Sequence, residues 1–288
     1  MRTAVLIFVA LGTIGFVIGF IVAVSGCVSI VETPAVAEPG EAPDGPGQST
    51  QLFPQMDRTG TVRRAVVAGL TQVEPRFYSG WDGACPGCDV DASVVALLCR
   101  EQGLQVAELH NRDVTRGGLM DACRQAWAGM TAGDLLVVFI SGHGGQDLDT
   151  NADEEDGQDE TLCLWDGQLS DDVLGALWQE IPKGVRVLFV TDTCNSGTNY
   201  KRRSIRKTVP RNYAGELIHF GGCADGLSSY GSEQGGTWTT ALIDAWAPTN
   251  SVLGWFEAAA AKMPRRQVPA YAEHGSVSAA FRHGRALR

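Results

Sequence analysis

The sequence predicts an α/β fold with a mainly parallel central sheet and helices on both faces. Three observations predict it. Short and almost wholly apolar runs recur along the chain; segments with apolar residues three and four apart separate them; and two of the runs end in chemically loaded loops, one setting a His between glycines and the other a Cys on a small-residue turn. Runs apolar on both faces mark buried parallel strands. Their alternation with helices implies right-handed crossovers that cover both sides of the sheet.

The chain begins with an uncharged apolar stretch, Ala4 to Ser25, behind a single Arg2. Its length approaches the roughly 20 residues needed to span a bilayer. It ends in Val24-Ser25-Gly26-Cys27, which resembles the bacterial lipobox, and this resemblance implies lipidation at Cys27; an uncleaved anchor is the alternative. Residues 1–27 are therefore expected to tether the chain to a membrane, with the remainder on the extracytoplasmic side by the positive-inside tendency. Residues 28–60, rich in Pro, Gly, Ala and acids, are expected to be a flexible linker. Residues 61–288 are expected to form one domain.

Along that domain, Ala65–Leu70 is predicted as a strand and Asp89–Gln102 as a helix stopped by Gly103. Gln105–Leu109 follows as a strand and Thr115–Met130 as a helix, with Leu119, Cys123, Ala126, Trp127 and Met130 on one face. Asp134–Ser141 is the most apolar strand. Ser170–Glu180 is a helix opened by a capping Ser, and Val185–Asp192 and Leu217–Gly222 are two further strands.

The formal net charge of −10 argues against nucleic acid as a partner, since phosphate binding needs clustered Lys and Arg. A cationic substrate suits it better. Eight cysteines in a chain of this length, scattered through apolar segments, read mostly as buried free thiols. Cys85-Pro86-Gly87-Cys88 has metal-like or redox-like spacing, but no second such pair completes a zinc set.

In a parallel sheet the ligand site lies beyond the carboxyl ends of the strands. One such end is Ser141-Gly142-His143-Gly144-Gly145, and another is Asp192-Thr193-Cys194-Asn195-Ser196-Gly197. Taken singly, a Cys after a strand is usually core and a His among glycines is usually a turn residue. Together they supply a thiolate nucleophile, an imidazole to hold it and protonate a leaving amine, and backbone amides for an oxyanion.

These motifs, with Gly87-Cys88-Asp89-Val90-Asp91-Ala92, Gly222-Cys223-Ala224-Asp225 and Gly235-Gly236-Thr237, resemble the metacaspases, a branch of the caspase-fold cysteine peptidases. The resemblance runs from about Arg64 to Tyr271 and implies a caspase-like sandwich. It implies His143 as general acid/base, Cys194 as nucleophile, and the amides of Gly144 and Cys194 as oxyanion donors. Cys88, Asp91, Ser141 and Asp192 match the family's pocket for the residue before the scissile bond. Two carboxylates there would select Arg or Lys and repel Asp.

No cofactor is required on this reading. Calcium is a candidate, because the acidic run from Asp147 to Glu160 offers hard oxygen ligands, and the resemblance implies that Asp156 would join the pair Asp171-Asp172. The family Asp soon after the nucleophile is replaced here by Thr198-Asn199-Tyr200-Lys201. The basic run Lys201-Arg202-Arg203-Ser204-Ile205-Arg206-Lys207 offers a self-processing site to an enzyme that selects Arg or Lys. The expected partner is a protein or peptide with a basic residue at the cleavage point, and the expected state is a monomer. The competing reading is a non-catalytic caspase-fold module, tethered to the membrane, that binds peptide or calcium.

Overall fold

The computed structural model describes residues 51–54, 60–148, 157–194, 213–223 and 229–288. The expected anchor, its Cys27, most of the linker, Asp156 and the basic run at 201–207 lie outside them. Among the described residues no helix is long and apolar enough to cross a membrane.

In chain order the elements are β1 (Arg63–Gly69), α1 (Cys88–Glu101), β2 (Gln105–His110), α2 (Arg116–Trp127), β3 (Leu135–Ser141), β4 (His143–Leu148), β5 (Gln158–Leu164), β6 (Gly167–Ser170), α3 (Asp171–Trp178), β7 (Arg186–Asp192), β8 (Glu216–Gly221), β9 (Gly231–Ser232), β10 (Gly235–Gly236), α4 (Thr237–Ala245), α5 (Val252–Ala260), β11 (Ala270–His274) and α6 (Ala279–Arg282). Six strands form one sheet in the order β11-β8-β7-β3-β1-β2. All neighbours in it are parallel except the edge pair of β11 and β8.

The period of two along each central strand divides the core. Val66, Ala68, Leu136, Val138, Ile140, Val187 and Phe189 meet α2 and α3 on one face through Leu119, Ala122, Trp127, Leu174 and Trp178. Ala65, Val67, Leu135, Val137, Phe139, Leu188 and Val190 meet α1, α4 and α5 on the other through Ala92, Val95, Trp238, Leu242 and Trp255. Both faces are apolar, so the strands read as continuous apolar runs in the sequence. Helices on both sides of a mostly parallel sheet are the architecture the alternation predicts.

Several boundaries move, for local reasons. The linker expected to reach residue 60 is already part of the folded body by Gln51: Phe53 is buried in the core, Leu52 N donates to Gln125 Oε1 at 3.0 Å, and the Arg64 guanidinium lies over the Phe53 ring. Helix α2 stops at Trp127, three residues early, because Ala128 leaves the helical region and Gly129 takes a left-handed φ of 73°. Its Thr115 does cap, accepting from Gly118 N at 2.9 Å. Ser170 precedes α3 as expected but makes no side-chain capping bond.

The largest departure is the acidic region after His143. Where the sequence suggests only a loop, β4, β5 and β6 make a separate three-stranded antiparallel sheet. His143 is thus the first residue of a strand, not a loop residue.

Candidate active site

Strands β3 and β7 lie side by side in parallel, with Ser141 in register with Asp192. They therefore end at one level, and their exits are tied together: Gly142 N donates to Asp192 O at 3.3 Å. From these exits the chain delivers His143 on one side and Cys194 on the other, into one cavity of about 100 Å³. Gly144 lies so close to Cys194 that a Cβ there would overlap the Cys194 carbonyl oxygen. Only glycine allows β4 to pass the nucleophile's main chain at this distance.

Cys194 is half-buried. Its Sγ accepts from Ser229 N at 3.3 Å, and Ser229 O lies 4.0 Å away. The His143 ring lies against the indole of Trp81, with centroids 4.8 Å apart and planes tilted by 59°, while its Nε2 is buried without a hydrogen-bond partner.

The same cavity contains Asp91 and Asp192, only 2% and 4% exposed. Asp91 accepts from Ser141 Oγ at 2.7 Å and from Gly236 N at 2.8 and 3.0 Å. Asp192 accepts from Ser229 Oγ at 2.5 Å, Thr239 Oγ1 at 2.8 Å and Thr239 N at 2.9 Å. Gly236 caps α4 and Thr239 lies in its first turn. Both carboxylates thus share the positive end of one helix, which offsets part of the penalty of burying charge. A Cβ on Gly236 would overlap Asp192 Oδ2 and come within 3.0 Å of Asp91 Oδ2. Burial, and then the charge of Asp192, raise the Asp91 carboxyl to about 7. Burial raises Asp192 as well, against the hydrogen bonds from Ser229 and Thr239.

Of the residues expected at the site, the cavity gathers Cys88, Asp91, Ser141, His143, Asp192 and Cys194, and Gly144 abuts it. Asp171 and Asp172 stand apart at the start of α3. Asp171 is buried, with its Oδ1 accepting from Asp172 N at 2.9 Å. Among the described residues no group of three His, Cys, Asp or Glu could hold a metal ion, and Asp156 lies outside those residues.

Residues 89–201 match the family model of the metacaspase peptidase C14 domain. Metacaspase-3 of Arabidopsis thaliana is 34% identical over 151 residues, which cover 47% of this chain and 40% of that one. Metacaspase-1 of Mycosarcoma maydis is 33% identical over 150 residues, covering 47% and 36%. A crystal structure of a Geobacter sulfurreducens protein superposes with a TM-score of 0.70 at 31% identity, over 78% of this chain and 98% of that one. Over residues 89–201 the chain resembles the metacaspase peptidase domain. Caspase-1 of Spodoptera frugiperda, at 17% identity and a TM-score of 0.55 over 77% of this chain and 93% of that one, shares the fold. The chain spans about two fifths of the length of the curated metacaspases it matches.

In this metacaspase-like site three contributors have no signal in the sequence. Ser229 touches both Cys194 and Asp192. Gln267, 1% exposed, accepts from Tyr230 N at 3.1 Å and donates to Gly222 O and Ser229 Oγ, both at 2.9 Å, which holds the Ser229 segment against the sheet. Trp81 comes from an irregular segment before α1. Each is a single residue without spacing or neighbours to mark it. Gly235-Gly236 was visible as a motif, and the two carboxylates they accommodate give the physical reason for it.

Proposed function

We propose that the chain is a cysteine endopeptidase that cleaves after Arg or Lys. One observation carries this: a nucleophile and an imidazole open into the same cavity as two buried, helix-capped carboxylates. The carboxylates receive the substrate's cationic side chain, which sets the next carbonyl beside Cys194. The Cys194 thiolate attacks that carbonyl carbon, and the C=O pair moves to oxygen as an oxyanion. The amides of Gly144 and Cys194, brought close by the contact at Gly144, are the donors for it. His143, as imidazolium, gives its proton to the amide nitrogen as the C–N bond breaks. It then takes a proton from water, whose oxygen displaces Cys194 from the acyl group.

The acidic composition of the chain supports a cationic substrate. Calcium belongs to the proposal as an activator, with Asp171 and Asp172 as candidate ligands of hard-oxygen type. The N-terminal stretch is proposed as a membrane tether with Cys27 lipidated, and the run at 201–207 as the chain's own substrate.

The deciding experiment is hydrolysis of paired fluorogenic peptides ending in Arg or in Asp by the reduced full chain, with calcium or chelator. Cleavage after Arg that vanishes in Cys194→Ala is the expected result. No cleavage after either, by folded and reduced protein, overturns it in favour of a binding module. Loss of activity with chelator tests the metal, cleavage within 201–207 by wild type but not Cys194→Ala tests self-processing, and the mass of the N-terminal peptide tests lipidation.

A further inference from the structure

The segment Cys85-Pro86-Gly87-Cys88 has no part in the cleavage steps, yet it brings two thiols into contact. Both cysteines are free, and their Sγ atoms are 2.7 Å apart. The turn between them is fixed from outside. Gly87 takes a left-handed φ of 99°, and a Cβ there would overlap the Ser232 carbonyl oxygen. Cys85 N donates to Thr71 O at 2.8 Å, and Cys88 N to Cys85 O at 3.4 Å. Cys88 begins α1, which fixes the second thiol on a regular element.

The two thiols are unequal. Cys85 is half-buried, whereas Cys88 is 5% exposed. The hydrogen bond from Cys88 lowers the Cys85 thiol from its ordinary value, and the same bond together with burial raises Cys88. An accessible, acidified thiol beside a buried, protonated one is the division of labour between an attacking and a resolving cysteine. Both also line the cavity that contains Asp91, Ser141, His143 and Cys194. Cys223 is fully buried and donates to Thr193 O at 3.3 Å.

We propose that Cys85 and Cys88 are a thiol–disulfide exchange site on the wall of the substrate pocket, whose co-reactant is a small-molecule or protein disulfide. The Cys85 thiolate attacks one sulfur of R–S–S–R; that bond breaks and the departing RS⁻ takes a proton. Cys88 then loses its proton and attacks Cys85 Sγ, expelling the second RS⁻. Two thiols are oxidised to a disulfide by two electrons, and R–S–S–R is reduced to two RSH; a dithiol reverses the step. Oxidation pulls the Cys88 sulfur toward Cys85 and away from Ser141, which holds Asp91 by the 2.7 Å bond. Its effect on cleavage rests on the cavity being the substrate pocket proposed above.

The test has two arms. In the full chain carrying Cys194→Ala, graded ratios of oxidised to reduced glutathione are followed by differential alkylation and mass spectrometry. An intramolecular Cys85–Cys88 disulfide, reversed by dithiothreitol, is expected. Thiols that both stay alkylatable, or a lasting glutathione adduct on Cys85, overturn the site whatever the chain cleaves. With Cys194 intact, the same ratios should raise KM for an Arg peptide by roughly tenfold, as for one misplaced group in a fitted pocket. Cys85→Ser should abolish that redox response whatever its basal rate. A response that persists in Cys85→Ser assigns the loss to Cys194 and overturns the coupling. Failure of the peptidase reading alone would leave the first arm positive and the reduced chain inactive.

Discussion

The His143–Cys194 wall of the cavity leaves the ends of β3 and β7, and its floor joins Asp192 at the end of β7 to Asp91 in the first turn of α1; the two differ in how fully their polar atoms are engaged. On the floor, two carboxylates share five donor groups: the side chains of Ser141, Ser229 and Thr239 and the amides of Gly236 and Thr239. On the wall, Cys194 has one amide and His143 Nε2 has no partner. A binding group gains from being fixed before substrate arrives, because no ordering is then left to do. A reacting group must exchange protons and form bonds, and every hydrogen bond it already makes has to be broken first. Rigidity at the floor and incompleteness at the wall are both requirements of the chemistry.

If that division holds, the largest effect should follow from disturbing the wall through its backbone. Gly144→Ala forces a methyl group into the Cys194 carbonyl oxygen, and a main-chain atom cannot swing aside as a flexible side-chain end can. Displacement of the nucleophile by about 1 Å costs on the order of 10²-fold. We expect kcat to fall by roughly 10²–10³-fold with KM within about threefold, and circular dichroism unchanged. A KM effect instead would mean that Gly144 serves the floor.

Next in size comes the floor's fully engaged carboxylate. Asp192→Asn removes the charge and turns an amide NH2 toward groups that donate, Ser229 and Thr239 among them. For an Arg peptide kcat/KM should fall on the order of 10²-fold, while a peptide with neutral citrulline in place of Arg should lose far less. Equal losses on both would show that Asp192 orders the pocket without reading its charge.

Asp91 sharpens the comparison through pH. Its carboxyl is raised to about 7, so below that pH the floor carries a proton and loses attraction for a cation. The ratio of kcat/KM for Arg over citrulline peptides, in which pH effects common to both substrates cancel, should rise roughly tenfold as pH passes upward through about 7. Asp91→Asn should flatten it. The stability sign runs the other way, because a carboxyl raised from 3.8 to about 7 favours folding below its unfolded value and loses that favour as pH climbs through its folded one. Between about pH 4 and pH 7 the wild-type Tm should therefore fall relative to that of Asp91→Asn, and parallel Tm curves would refute the burial of an ionising group here.

How much of this was legible in the sequence follows from what surrounds each residue. Strands β1, β3 and β7 are sandwiched between two helical layers, so their central side chains are apolar on both faces and the run declares itself. The sheet of β4, β5 and β6 hides because β4 is glycine and acid, and such composition matches a loop equally well. The edge strand β11 hides because its residues are only partly buried. His143, Cys194 and Asp192 were legible through motifs at strand ends, and Asp91 through the motif that opens α1. Ser229, Gln267 and Trp81 were not, since each comes from an irregular segment and meets the site residues through tertiary contact alone.

Trp81 gives the smallest expected effect and the finest test of the wall's incompleteness. Its indole is 44% exposed, a large apolar side chain held at the surface by the edge of Tyr78, 5.8 Å away. Tyr78 is itself fixed by its hydroxyl donating to Leu164 O at 2.6 Å. With no hydrogen bond at Nε2, ring packing is what selects the rotamer of His143 near the nucleophile. Trp81→Ala should lower kcat by about three- to tenfold, the size of a modest positioning loss, with little change in KM. Trp81→Phe, which keeps an aromatic face, should recover most of it. A purely structural role predicts instead a lower Tm with kcat intact, and that result would mean the backbone entering β4 holds the imidazole without help.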